Sequence, residues 1–198
     1  IVKGRIQFPL SLSKGQHVYD MFVQLMHEQR NTHDFSTLPI PFYCVATDIN
    51  TGEKTVLDKG YLPLAVNASS ALPTLFSPVQ VEDRMLIDGG IVDNYPIDEM
   101  LSKGMDVIIG VDVQINVSST DVTSTLSEVV TRIASFQTRK QMAFKNAKTH
   151  IYIRPELDDF NILSFDKKKE IMAQGVLAAQ KVRSQLQVLA KNQQPRDK

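Results

Sequence analysis

MLIDGGIVDNYP, residues 85–96, is the stretch on which the reading of this chain turns. Three apolar residues, Met85, Leu86 and Ile87, deliver a carboxylate, Asp88, onto the paired glycines Gly89 and Gly90. A second acid, Asp93, and Pro96 follow. The apolar run has the character of a buried strand end. Two residues without Cβ atoms let another backbone or a substrate approach closely. An aspartate held on rigid backbone at a sheet edge is well placed to act as a general base. The same residues also suit a tight turn with no chemistry.

The surrounding sequence supplies the frame. Upstream, residues 79–87 read as a hairpin turning at Glu82 and Asp83. Residues 42–48, FYCVATD, form a continuous apolar run ending in an acid, the pattern of a central strand buried on both faces. Asn50, Thr51 and Gly52 signal a turn, and residues 54–57 a short return strand. Residues 61–72 hold a short helix with Pro63 in its first turn and Pro73 as a stop. From Gln16 a helix is expected, with Val18, Met21, Phe22, Leu25 and Met26 on one core-facing side. Residues 31–41 are polar and proline-bounded, a loop.

Downstream, residues 98–103 are helical, with Gly104 as the C-terminal cap. Residues 106–113, DVIIGVDV, make a second near-continuous apolar strand. A helix is expected over 121–148, with Leu126, Val129, Val130 and Ile133 along one face. Residues 151–154 form a short strand. Asp166 is a candidate cap for one last long helix with Ile171, Ala178, Val182, Leu186 and Leu189 on one side. Strands alternate with helices, so the class is α/β, with a mainly parallel sheet layered with helices. One domain over residues 1–198, with a disordered tail at 192–198, is the simplest division.

Composition narrows the function. The 198 residues are 42% hydrophobic, enough for a sizeable core. Lys+Arg and Asp+Glu number 22 each, so the basic excess used by nucleic-acid binders is missing. The one cysteine, Cys44, lies in an apolar run and reads as a small buried hydrophobe. The four histidines, at 17, 27, 33 and 150, have no metal-site spacing, and no cofactor motif occurs. The chain opens at Ile1, as a trimmed product would.

Four motifs occur here in one order: ATDINTG (46–52), ASSALPTLFSPV (68–79), LIDGGIVDNYPID (86–98) and GMDVIIGVDV (104–113). Together they resemble the later, C-terminal portion of a patatin-like phospholipase domain of the bacterial type. FPLSLSKGQHVYDMF (8–22) resembles the segment before that core. The resemblance implies a doubly wound α/β fold and hydrolysis of acyl esters, often of lipids, by a serine–aspartate pair without histidine. It implies that Asp88 is the catalytic aspartate and that Gly89 and Gly90 are its D-G-G partners. The family's serine sits in a G-x-S-x-G turn, and no two glycines of this chain are four positions apart. The nucleophile and the glycine-rich oxyanion segment are therefore expected upstream of Ile1, with the N-terminal part of the fold. The 198 residues alone are expected to hydrolyse no ester.

A serine hydroxyl needs a base as it attacks, and a partly desolvated carboxylate can serve. The other polar residues have plainer readings. Asp48 and Asp112 end apolar strands and are taken as loop acids bonding nearby amides. Asp93, close to Asp88, could orient that loop but is taken as a solvated turn acid, and Ser69 and Ser70 are taken as helix-packing serines. Lys167, Lys168 and Lys169 make a charged face that could touch anionic lipid heads. The expected partners are a lipid or other acyl-ester substrate, peripheral contact with a membrane, and another copy of the chain at exposed edges near residues 42–46 and 107–111. The competing reading is a non-catalytic lipid-binding or scaffold module of the same fold. A nucleotide-binding domain is disfavoured by the absence of G-x-G-x-x-G and P-loop motifs.

Overall fold

The computed structural model describes residues 11–115, 126–161 and 164–192. The chain divides into two compact units, Ile1–Asn94 with Thr123–Thr138, and Tyr95–Val122 with Arg139–Lys198. Each is described by itself.

The first unit runs β1 (Ser11–Ser13), α1 (Gln16–Leu25), β2 (Cys44–Asp48), β3 (Lys54–Leu57), α2 (Leu62–Ser69), β4 (Thr74–Phe76), β5 (Val79–Val81) and β6 (Arg84–Asp88). Its main sheet has the order β3-β2-β6-β5, and every pairing in it is antiparallel. The α/β class holds, but the strand sense is mixed where a mainly parallel sheet was expected. Parallel pairing occurs between β1 and β4 and, in the second unit, between β7 and β8. The cause is local. β2 and β3 are joined through Gly52, at φ 74°, whose N–H bonds the Asp48 carbonyl at 2.8 Å. β5 and β6 are joined at Glu82, at φ 53°. Connections this short can only return a strand antiparallel, which accounts for β2–β3 and β5–β6; the β2–β6 pairing is made by the fold and not by a turn.

The core of this unit gathers Phe35, Ala46, Leu57, Leu62, Ala65, Ala68 and Leu86. α2 supplies three of these, so its apolar side lies against the sheet. Pro63 sits in the first turn of α2, where no intrahelical N–H is required of it. The helix stops at Ser70, ahead of Pro73. The expected core face of α1 is only partly buried. Met26 packs on the core, whereas Met21 and Leu25 are exposed and no α1 residue is fully buried.

The second unit contains α3 (Ile97–Ser102), β7 (Ile109–Val111), the later residues of α4 (Leu126–Ala147), β8 (Ile151–Ile153), α5 (Lys168–Lys181) and α6 (Arg183–Asn192). Gly104, at φ 73°, ends α3 as expected, its N–H bonding the Leu101 carbonyl at 3.0 Å. β7 is shorter than the apolar run 106–113 and is not buried on both faces. Ile108, Gly110 and Asp112 are buried, while Val107, Ile109, Val111 and Val113 are exposed. The buried side meets Tyr95 and Ile97. Across β8, Ile151 and Ile153 are covered by Ala178, Val182, Leu186 and Leu189. That stripe was expected on one long helix. The helix instead breaks at Val182, at φ −107° and ψ 9°, into α5 and α6. Asp166 does not cap it. Asp166 lies in a 3-10 turn over Phe165–Lys167, and α5 begins without a side-chain cap. On α4 the expected apolar stripe is largely uncovered: Leu126, Val129 and Ile133 are exposed, and Val130 is half-buried. Residues 121–125 and 193–198, with the expected helix start and tail, lie outside the described residues.

Candidate active site

Asp88 is the last residue of β6, and its place is set by three neighbours on different elements. It pairs with Ala46 in the antiparallel register of β2. Its N–H bonds the Ala71 carbonyl just after α2, at 3.0 Å. Its carbonyl accepts from the buried Thr47 hydroxyl at 2.8 Å. These bonds use the backbone of Asp88 completely and leave the carboxylate as the variable part.

That carboxylate is half-buried. Oδ1 accepts the Gly90 N–H at 2.7 Å, which caps the 3-10 turn Gly89–Ile91. Oδ2 has no hydrogen-bond partner among the described residues. Burial raises the Asp88 carboxyl above its ordinary value, and the Gly90 N–H acts in the opposite direction. A raised carboxyl is a better proton acceptor than a solvated one.

The two glycines have different physical duties. A Cβ on Gly89 would collide with the carbonyl of Val45 in β2. Strand β2 and the turn after β6 therefore approach backbone to backbone, which only glycine permits. The same Val45 carbonyl accepts the Ser69 hydroxyl at 2.7 Å, so Ser69 is a packing serine as read from the sequence. A Cβ on Gly90 would crowd the Asn94 side chain and Oδ1 of Asp88 itself. Gly89 fixes where the turn lies, and Gly90 keeps its N–H on the carboxylate.

The turn closes through Val92 and Asp93, whose N–H groups both bond the Gly89 carbonyl, at 3.1 and 2.9 Å. Asp93 is not a solvated turn acid. It is buried, with Oδ2 3.4 Å from Lys54 Nζ on β3. The hairpin return thus supplies a cation to the loop, a role that the spacing of the two residues in the chain did not signal. Thr47 was also unmarked in the sequence, although its position one residue before a strand-ending acid places it beside the neighbouring strand.

Of the remaining acids, Asp48 accepts the Asn50 N–H at 2.8 Å and holds the β2–β3 turn. In the second unit Asp112 accepts the Gln114 N–H at 3.0 Å. Both behave as loop acids. Asp112 goes further, with Oδ2 receiving the Tyr152 hydroxyl at 2.5 Å and Arg154 Nη1 at 2.6 Å. His150 is structural, its Nδ1 accepting the Ile108 N–H at 3.1 Å. Burial pushes the Cys44 thiol up to about 11, which makes it a poor nucleophile near neutral pH.

Comparison with known proteins bears on the first unit most directly, since the segment that matches includes β2, α2, β6 and the Asp88 turn. Residues 5–101 match the patatin-like phospholipase family. The patatin-like region therefore contains Asp88, Gly89 and Gly90 together with the strand and helix that position them. Similar proteins include lysophospholipase NTE1 of Pyricularia oryzae, 31% identical over 163 residues, and lysophospholipase nte1 of Aspergillus niger, 32% identical over 161 residues. Lysophospholipase NTE1 of Saccharomyces cerevisiae is 29% identical over 164 residues. Each alignment covers 69% of this chain but only 10–11% of the relative, so the chain spans about a tenth of the length of these proteins. The relatives are fungal, where the motifs suggested the bacterial type. The comparisons reach the patatin-like family and not that subdivision of it.

Proposed function

We propose that this chain carries the base half of a lipid acyl hydrolase that works with a serine–aspartate dyad. Asp88 is the base, and Gly89 and Gly90 hold its loop. The chain corresponds to the later part of a single patatin-like domain. The nucleophilic serine and the oxyanion donors are supplied by sequence outside these 198 residues, because no G-x-S-x-G occurs within them. The substrate inferred is a lysophospholipid, a reading supported by the printed name lysophospholipase of the similar proteins.

The observation that carries the reading is the asymmetry of the Asp88 carboxylate. One oxygen is held by a backbone N–H, and the other carries no partner among the described residues. In the first step Oδ2 takes the proton of the serine hydroxyl as Oγ bonds to the acyl carbon. The proton then passes to the departing alcohol oxygen as the ester C–O bond breaks, leaving an acyl-serine. In the second step the same carboxylate takes a proton from water as the water oxygen bonds to the acyl carbon; the Oγ–acyl bond then breaks, Oγ recovers that proton, and a fatty acid is released. Preorganised N–H donors for the tetrahedral oxyanion are worth about 10²–10³ in rate, and the rest of the domain must provide them.

The test is ester turnover by the complete protein with Asp88→Ala and Asp88→Asn. Loss of activity in both, with the melting temperature of Asp88→Asn not lowered, is the expected result. Near-parental turnover in both variants removes the carboxylate from the mechanism, and no turnover by the complete parent protein leaves a non-catalytic lipid-binding module. The isolated 198-residue chain should show no turnover above background, and turnover by it would place the nucleophile inside the chain.

A further inference from the structure

α5 presents two unlike faces. One is accounted for: Ala178 packs on Ile151 and Ile153, with Val182 beside it. The other is apolar and exposed. Met172 is 71% exposed and Val176, four residues on, is 57% exposed. Phe165, in the 3-10 turn that leads into the helix, is 72% exposed. Residues four apart on a helix stack on one side, so Met172 and Val176 form a continuous stripe. Lys168 and Lys169 are four and three residues before Met172, so they flank the same stripe and are exposed.

The charge arrangement is locally unfavourable for a helix. Lys167, Lys168 and Lys169 crowd the N-terminal end, where the helix dipole is positive and favours anions. There is no side-chain cap, and the one acid in the first turn is Glu170. At 100° per residue Glu170 projects away from the Met172 stripe. Asp166 is exposed in the preceding turn. Lys167 lies 5.8 Å from the Phe160 ring, a weak contact for a full charge. Further along, Lys181 is paired with Glu156 at 2.6 Å. Lys168 and Lys169, with no ion-pair partner among the described residues, therefore stand beside the exposed apolar stripe, and the paired Lys181 does not.

An exposed apolar stripe bordered by lysines is the pattern of a helix that lies in the plane of a lipid interface. We propose that the α5 face made by Phe165, Lys168, Lys169, Met172 and Val176 docks on an anionic phospholipid surface. The apolar side chains enter the acyl boundary, and the lysines meet the headgroup phosphates and carboxylates. The anionic surface also relieves the repulsion between the lysines and the helix dipole, so the charge complementarity selects a lipid surface of negative sign. The proposal deepens the hydrolase reading by saying which face of the second unit meets the substrate's membrane, and it rests on that reading only for its purpose.

The experiment is vesicle co-sedimentation of the protein containing the complete sequence. Vesicles of phosphatidylcholine alone are compared with vesicles containing phosphatidylserine, across a salt series. Expected is binding that needs phosphatidylserine and weakens as salt rises. Lys167→Gln, Lys168→Gln and Lys169→Gln together should lower the partition by about 10²-fold, on roughly five-fold per lysine near an anionic surface. Met172→Ser with Val176→Ser should weaken it further, with circular dichroism and melting temperature unchanged because both side chains are exposed. Binding that ignores phosphatidylserine or salt in the unsubstituted protein overturns the proposal, whatever the variants do. So does parental binding by the triple variant. Loss of a dimer in Met172→Ser with Val176→Ser, with no vesicle binding at any stage, would make this face a protein interface and also overturns it. Asp88→Asn should bind vesicles like the parent. Vesicle binding that fails beside Asp88-dependent turnover removes this inference alone, and intact binding beside Asp88-independent turnover removes the hydrolase reading alone.

Discussion

Asp88 in the first unit and Asp112 in the second each follow an apolar strand, and each holds the backbone N–H two residues on, at 2.7 and 3.0 Å. Their second oxygens differ. Asp112 is 1% exposed, and its Oδ2 takes both the Tyr152 hydroxyl and the Arg154 guanidinium. The Oδ2 of Asp88 is met by no donor among the described residues, and burial leaves that carboxyl raised. A buried charge with both oxygens engaged is an element of structure. A partly buried charge with one oxygen idle holds basicity in reserve. The same local motif therefore serves cohesion in one unit and, in the function proposed above, proton transfer in the other.

The contrast can be broken most directly through activity. Asp88→Asn should lower turnover of the complete protein by about 10²–10⁴-fold, the usual worth of a positioned base. Asp112→Asn should leave the chemical step intact. Equal loss in both variants would erase the distinction.

In stability the order reverses. Asp112→Ala strands the Tyr152 hydroxyl and Arg154. A cost of about 2–3 kcal/mol is expected, below the ~3–5 of a wholly buried pair because Arg154 is 34% exposed to water. Chemical denaturation measures it, and a change under 1 kcal/mol would show that the cluster does not hold the β7–β8 end.

The glycines sharpen the picture on the Asp88 side. Gly89→Ala drives a Cβ into the backbone carbonyl of Val45, which cannot swing aside. Its cost should reach about 3 kcal/mol. Gly90→Ala meets chiefly the end of the Asn94 side chain, which can rotate, so about 1 kcal/mol or less is expected. Similar melting temperatures for the two variants would contradict the assignment of separate duties.

A smaller effect follows from the Asp88 carboxyl itself. Its folded value is raised by burial, so the stability tied to its neutral form is present at low pH and is lost as pH rises through that value. Asp88→Asn stays neutral throughout. It should melt slightly above the parent at pH 7, with the gap closing as pH falls below the unfolded carboxyl near ~3.9. A gap that widens on acidification would reverse the sign. Least disruptive is thiol labelling at pH 8. With its thiol pushed to about 11, Cys44 should react about 10²-fold more slowly in the folded protein than after denaturation.

Much of the local structure was legible. The hairpin turns at Gly52 and Glu82, the return strand Lys54–Leu57, the capping of α3 by Gly104 and the placement of Asp88 at a strand end all follow from short-range rules. The readings that failed concern choices between equivalent faces. The 106–113 run and the 126–133 stripe were correctly seen as apolar, but the structure leaves Val107, Ile109, Val111, Leu126 and Ile133 exposed. Apolar periodicity marks a face and does not say whether a neighbour covers it. Asp93 failed for a related reason, since its partner Lys54 is brought to it by the sheet and not by the chain.

The sequence by itself determined where this chain turns, where its strands end and which carboxylate stands before two glycines, because those outcomes depend on residues within a few positions of one another. The tertiary structure alone decided that Ala46 pairs with Asp88, that Val45 fills the space a side chain at Gly89 would need, and that Asp112 is ion-paired with Arg154 while Asp88 keeps an oxygen with no donor among the described residues. Those outcomes depend on contacts between residues some forty positions apart, and only the packed sheet brings such groups within hydrogen-bonding range.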